Sequence, residues 1–227
     1  ADTWKLDYQA ANVGVTYTGY DSAQGDGDVG FLKVDGVIHG VKKSALAALA
    51  AQWDFHSSGT TLYVRSTADP ATLADDIRFS VDGKGASPAN ATELSDLAIV
   101  GVGGHGIHFS GAYTRARLLG CTIAEIGGSY LDGFGDGTVR YGNGVEVWAQ
   151  FTDAYCEHNT VRDCYDTAWT VQGSGTFTDI TWRRNLTYRC SQAAEYWYQG
   201  STEDAFTNVV DEYNTNLFAA HGWAAPF

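Results

Sequence analysis

The chain has 227 residues, 44% hydrophobic and 18% charged, enough to fill the core of one domain with a small appendage and too apolar for a disordered chain. Acidic residues outnumber basic ones 27 to 14, a formal charge of −13, which argues against a nucleic-acid partner because phosphate contacts need clustered Lys and Arg. The longest apolar run, Ala45 to Ala51, is too short for a transmembrane helix.

Twenty-seven Gly against three Pro point to many tight turns. The chain opens Ala1-Asp2-Thr3, as a processed or trimmed product would. Residues 1–92 are irregular and are expected to form a small α/β N-terminal unit. Asp21, Asp26 and Asp28 sit among Gly and Ser; they resemble a Ca²⁺ loop only loosely, since the spacing departs from an EF-hand and no Glu closes it. Ca²⁺ at this loop is the one candidate cofactor, the alternative being a solvated turn. Ser44 to Trp53, rich in Ala and Leu, predicts a short helix capped by Ser44. Trp53–His56 and Thr61–Arg65 predict a hairpin around Ser57-Ser58-Gly59-Thr60. Asp69-Pro70 breaks the chain, and Ile77–Val81 is a further strand.

Residues 93–227 are repetitive. Cys156-Glu157-His158-Asn159 aligns with Trp182-Arg183-Arg184-Asn185 at a period of 26, and a Cys follows each Asn by five residues, at 164 and 190. Aromatic-rich strands then follow, Ala168 to Gln172 and Ala194 to Tyr198. An earlier copy runs from Leu118 through Cys121 to Ile123 and on to Gly144–Trp148, interrupted by a Gly-rich insertion at Gly127–Gly142; a weaker copy runs from Val209 through Asn214 to Trp223. Short β-branched and aromatic segments at a period in the twenties predict an all-β solenoid. Stacked coils put Asn159 over Asn185 at one bend, where amides bond along the stack and tolerate a left-handed backbone. Glu157 and Arg183 then lie one coil apart on one face. Four cysteines allow three pairings, and spacing chooses none; buried free thiols are expected, with a Cys164–Cys190 disulfide as the alternative.

The segments GNGVEVW (142–148), EHNTVRDCYDTAWTVQG (157–173) and WRRNLTYRCSQAAEYWY (182–198) resemble the right-handed parallel β-helix proteins of the pectate-lyase-like superfamily. The stretch from Trp53 through Pro70 resembles the small unit that often precedes such helices. The resemblance implies a right-handed, single-stranded parallel β-helix. It also implies a function among polysaccharide lyases, glycoside hydrolases, epimerases and glycan-binding tailspikes. Gly104-His105-Gly106 matches the Gly-His-Gly of polygalacturonases only superficially, because the accompanying Asp pair and Arg-Ile-Lys segment are missing. No residue maps onto the Ca²⁺ ligands or Arg base of pectate lyases. The end at Phe227, directly after a coil-like segment, leads us to expect a missing C-terminal part, a partner chain or a homo-oligomer capping the solenoid.

Chemistry is expected in a groove on one sheet. The insertion offers Tyr130, Asp132, Phe134, Asp136, Arg140 and Tyr141 beside it, in a loop that either carries function or merely covers a sheet. Glu146, Trp169 and Glu195 fall at roughly equivalent coil positions. Outward-facing, they place two carboxylates ~9–10 Å apart around a Trp, close to the separation of an inverting glycosidase pair. A single carboxylate partnered by His158 or Arg140 would instead suit a lyase; ordinary solvated sheet residues are the plain alternative. Asp166, at the bend before Trp169, is a turn cap or a third acid. The candidate catalytic residues are therefore Glu146, Asp166 and Glu195, and the candidates for holding sugar are Arg140, Tyr141, Trp169, Gln172 and Trp197. His105, His108 and His221 lack a third ligand in register and are expected to be edge histidines, so no metal site is assigned. The expected function is a secreted, cell-surface or virion-associated enzyme cutting a polysaccharide. The alternative is a non-catalytic glycan-binding or tailspike-like structural module.

Overall fold

A computed structural model of the chain describes residues 2–7, 28–39, 41–130, 139–198 and 205–220. The N-terminal unit holds two antiparallel sheets. Strand β1 (Asp2–Asp7) pairs with β5 (Thr61–Ser66), which pairs with β4 (Phe55–Ser58). Strand β2 (Val29–Val34) pairs with β3 (Val37–His39) and β6 (Ile77–Val81). Val29, Leu32, Val34, Phe55, Leu62 and Val64 form its core. One helical turn, α1 (Pro70–Leu73), begins where Pro is tolerated, and the Asp69 carboxylate accepts the Ala71 N–H at 3.1 Å.

The helix expected over Ser44–Trp53 is absent. Only Leu46–Ala48 form a 3₁₀ turn, and none of its residues is buried. With no apolar face to bury, so short a segment cannot offset the cost of nucleation. Asp54 instead takes the N–H groups of Ala50 and Ala51 at 3.0 and 2.9 Å and bends the chain into β4.

The rest is a parallel β-solenoid of about four turns, with three strands to a coil. The first face carries β7 (Thr92–Ser95), β10 (Ala116–Leu119), the second half of β14 (Val145–Glu157), β17 (Phe177–Arg183) and β20 (Phe206–Glu212). The second carries β8 (Ala98–Val102), β11 (Thr122–Ile126), β15 (Thr160–Cys164), β18 (Leu186–Tyr188) and β21 (Thr215–Leu217). The third carries β9 (Ile107–Tyr113), the first half of β14, β16 (Thr167–Gly173) and β19 (Gln192–Tyr198). Parallel pairing already begins at Ala86, which bridges to Ile107. No helix among the described residues is long and apolar enough to cross a membrane.

Between the first and second faces the expected asparagine stack forms. Asn159 Oδ1 accepts the Cys121 N–H at 2.8 Å, and Asn185 Oδ1 accepts both the Asn159 N–H at 2.8 Å and its Nδ2 at 3.0 Å. Asn214 does the same for Asn185, at 2.7 and 3.2 Å. Each Nδ2 also donates to a carbonyl of the preceding coil, so each amide nitrogen of the stack has a partner. The left-handed residue is the one before each Asn: His158, Arg184 and Tyr213, with Gly120 on the earlier coil.

The interior is apolar and stacked. Trp169 lies flat on Trp182, ring centres 4.5 Å apart, and Phe177 on Phe206 at 5.2 Å. Cys121, Cys156, Cys164 and Cys190 are free and buried among these rings. Outside, Glu157 meets Arg183 at 3.1 Å across one coil, as the repeat predicts.

The register corrects one expectation. A period of 26 sets Trp169 opposite Glu195, but the paired residues are Trp169 with Ala194 and Thr170 with Glu195. The fourth coil is one residue shorter between Cys190 and its third strand. In a strand, a one-residue slip moves a side chain to the opposite face. Trp169 therefore points inward and is fully buried, so it is core and presents no ring to a sugar.

The N-terminal unit docks at the turn between the second and third faces. Gly30 runs so close to the insertion that a Cβ there would lie 2.5 Å from the Gly127 carbonyl. Lys33 pairs with Glu125 at 2.6 Å, and the Val81 and Gly83 carbonyls accept the N–H groups of Gly103 and Gly104. The base of the insertion is a short ladder of β12 (Ser129–Tyr130) against β13 (Arg140–Tyr141).

Candidate functional site

Each coil enters the third face through the same four-residue step: a polar turn residue, a Gly or Ala, an inward apolar residue and an outward side chain. The steps are Lys84–Ser87, His105–His108, Asn143–Glu146, Thr167–Thr170 and Gln192–Glu195. The second residue must be small. A Cβ on Gly106 would sit 2.4 Å from the Gly144 carbonyl, and one on Gly144 would sit 2.4 Å from Val161 Cγ1. Two polar rows result, one of turn residues and one of outward residues, three positions apart along the chain. Beside them runs a third outward row, Ser110, Trp148, Gln172 and Trp197.

Glu146 is the hub of this site. Its Oε2 receives His105 Nε2 at 2.8 Å and His108 Nε2 at 3.2 Å, while its Oε1 receives the Gln172 amide and, at 3.4 Å, Asn143 Nδ2. Although it belongs to the outward row, its neighbours bury it to 3% exposure. Burial alone would raise its pKa; the two imidazoles and the Gln172 amide outweigh that and bring it down to about 2. A carboxylate with its lone pairs spoken for and so low a pKa is a poor proton acceptor. Of the three predicted acids, Glu146 is thus the one fitted to hold neighbours in place.

The state of His105 follows from its other nitrogen. Nδ1 faces the backbone N–H of Asn143 at 3.1 Å, and since that group can only donate, Nδ1 accepts. The proton on Nε2 is the one given to Glu146. A protonated Nε2 does not ligate a metal through that atom, and no cluster of metal-binding side chains is found among the described residues. Asn143 completes the link, its Oδ1 accepting the Thr167 N–H at 3.1 Å.

Asp166 stands one residue before Thr167 of the turn row, half-buried, its N–H on the Gly142 carbonyl at 3.2 Å and its own carbonyl accepting from Ser191. Burial, then the negative charges of Glu195 and Glu146, raise its pKa above the usual carboxylate range. Glu195 is half-exposed on the next coil, with the Thr170 hydroxyl 3.4 Å from Oε2. Trp197, two residues on, is 47% exposed on the same side of the sheet. Asp166 and Glu195 thus stand on successive coils beside the outward row that carries Trp148 and Trp197.

The remaining sugar-holding candidates have other duties. Arg140 gives Nε to the Gly128 carbonyl at 2.7 Å and Nη2 to the Gly30 carbonyl at 3.0 Å, and lies over the Tyr165 ring at 4.4 Å. It ties the insertion to the N-terminal unit. Tyr141 is buried and donates its hydroxyl to Asp82 at 2.5 Å. Burial raises Asp82 to about 6 in spite of that bond. Gln172 faces outward but is spent on Glu146. Asp132, Phe134 and Asp136 of the insertion, and His221, lie outside the described residues.

So do Asp21 and Asp26 of the loose Ca²⁺ loop, while Asp28 is bound into a polar knot. It pairs with Lys42, whose side chain is fully enclosed, and accepts the Ser57 hydroxyl at 2.6 Å and the Tyr130 N–H at 2.7 Å. Lys42 also gives a hydrogen bond to the Val29 carbonyl and lies 4.2 Å above the Tyr130 ring; burial lowers its pKa to about 8.

Sequence reasoning missed His105, His108 and Asn143. The signal was present in Gly104-His105-Gly106-Ile107-His108 set against Gly142-Asn143-Gly144-Val145-Glu146, a spacing of 38 that the insertion stretches beyond the period of 26. No protein-family model, curated protein or solved structure matches the chain.

Proposed function

We propose that the chain is a polysaccharide-degrading enzyme of the pectate-lyase-like superfamily, secreted or virion-associated, acting in a groove that the outward rows of the third face of the solenoid would form. The observation that carries this reading is the Asp166–Glu195 pair. Burial, and then the charge of Glu195 on the next coil, keep the proton on Asp166 above the normal carboxylate range, which suits Asp166 to act as an acid. Asp166 is the acid, giving its proton to the leaving glycosidic oxygen. Glu195 is the base. Trp197 and Trp148 supply flat faces against which sugar rings pack. Glu146, His105 and Asn143 act as positioning residues that fix the turn carrying Asp166.

The test is incubation of the chain with neutral and acidic polysaccharides, following both new reducing ends and the ultraviolet absorbance of an unsaturated product. Either signal, abolished by Glu195→Gln in a variant that still folds, supports the assignment. Glycan binding with neither product would make the chain a non-catalytic adhesive or tailspike-like module instead.

A further inference from the structure

Resting on that reading of the groove, we infer that the sugar cleaved between Asp166 and Glu195 carries no acidic group, so that the substrate is a neutral or amine-bearing glycan cut by hydrolysis. The argument is one of charge. Three carboxylates lie on three successive coils: Glu146 and Glu195 flank Thr170 in the outward row, and Asp166 stands just before Thr167 at the turn of the coil between them. A uronate, sulfate or phosphate placed there would add a further negative charge, and like-charge juxtaposition at a contact is strongly disfavoured unless a cation answers it.

The described cations near the groove are directed elsewhere. Arg140 is turned onto two backbone carbonyls, and Lys42 is enclosed on Asp28. Lys33 is held by Glu125, and Arg162 and Arg189 by Asp163 on the second face. His105 is turned onto Glu146, Nε2 to Oε2 at 2.8 Å. Lys84 begins the row of turn residues, but it stands three rungs from Thr167, ~14 Å along the stack at the usual strand spacing.

The same absence decides between the two cleavage chemistries. Elimination removes a proton beside a uronate carboxylate, and that carboxylate must be neutralised for the carbanion to form; the Asp166–Glu195 end of the groove offers acids where the neutralising cation would stand. Hydrolysis needs only the pair. The glycosidic C–O bond breaks as Asp166 passes its proton to the departing oxygen. A water oxygen bonds to the anomeric carbon, and the proton it sheds goes to Glu195, so one water is consumed and two hydroxyl ends appear.

The experiment is binding of the full chain to an array of oligosaccharides of matched length, neutral, amine-bearing, and uronate- or sulfate-bearing, at low salt. Affinities for the bound members are then measured by calorimetry on the wild type and on D166N/E195Q, or on either single variant if the double variant does not fold. The expected result is at least ten-fold tighter binding of non-acidic than of acidic oligosaccharides, a gap that closes when the two carboxylates are neutralised. Acidic oligosaccharides binding as tightly as the others, or a gap unchanged in the variants, would overturn the inference while leaving a glycan-active groove intact. Binding to no member of the array would overturn the glycan reading itself.

Discussion

Two polar ladders climb this solenoid, and they are built on opposite plans. At the turn between the first and second faces, Asn159, Asn185 and Asn214 repeat one residue and spend its amide on the backbone of neighbouring coils. At the turn into the third face every rung differs: His105, Asn143, Asp166 with Thr167, and Gln192. Identical residues stacked in register satisfy one another and need nothing from outside. A row that changes at every rung sets side chains of unlike chemistry side by side, which is what recognition and proton transfer require. The first ladder holds the coils together; the second has chemistry to offer.

The contrast is sharpest at two adjacent residues. Trp169 and Thr170 share a strand, yet one is stacked on Trp182 in the interior and the other touches Glu195 outside. Trp169→Ala is expected to cost about 3–5 kcal/mol in chemical denaturation, as large core truncations do. A loss under about 1 kcal/mol would mean the ring faces outward after all. Breaking the uniform ladder should come next in size. Asn185→Ala strands the Asn159 N–H and the Cys156 carbonyl inside the protein, with an expected loss of about 2–4 kcal/mol, each group falling in the lower part of the roughly 1–3 kcal/mol that an unsatisfied group costs.

The seam between the N-terminal unit and the solenoid gives a pH signature. Asp82, raised to about 6 from its ordinary 3.8, prefers to be protonated in the folded state. Between those values the native chain holds more protons than the unfolded one, so this group makes stability rise as pH falls from about 6 towards 4. The contribution is on the order of 2–3 kcal/mol. Asp82→Asn should flatten that part of the stability–pH curve; an unchanged slope would remove Asp82 as its source. The smallest effects on stability belong to the varied ladder. Glu195→Gln and Trp197→Ala, both at solvent-facing positions, should alter the denaturation midpoint by no more than about 0.5 kcal/mol. If the proposed function holds, Glu195→Gln lowers turnover by about 100-fold or more, and Trp197→Ala weakens glycan affinity.

How much of this was legible follows the same division. The Asn159–Asn185 stack, the Glu157–Arg183 pair and the buried thiols were visible because identical or complementary residues recur at one spacing. The outward row of Glu146 and Glu195 was visible too, but Trp169 was misassigned. The fourth coil drops one residue after Cys190, and a side-chain period of two gives no tolerance for such a slip. His105 and His108 were hidden by the insertion, which separates them by 38 residues from the rungs they touch. The duty of Arg140 and the Asp28–Lys42 knot depends on how the N-terminal unit docks, which no local pattern encodes. The Ser44–Trp53 helix failed for a related reason: propensity was present, but there was no face for it to bury.

Carboxyl-carbon NMR with labelled Asp tests, without any substrate, whether burial and the Glu195 charge together hold the proton on Asp166. Asp166 should titrate above the ordinary carboxylate range in the wild type and fall towards it in Glu195→Gln, where the neighbouring charge is gone. An Asp166 that titrates normally, or one that does not respond to Glu195→Gln, would contradict the account.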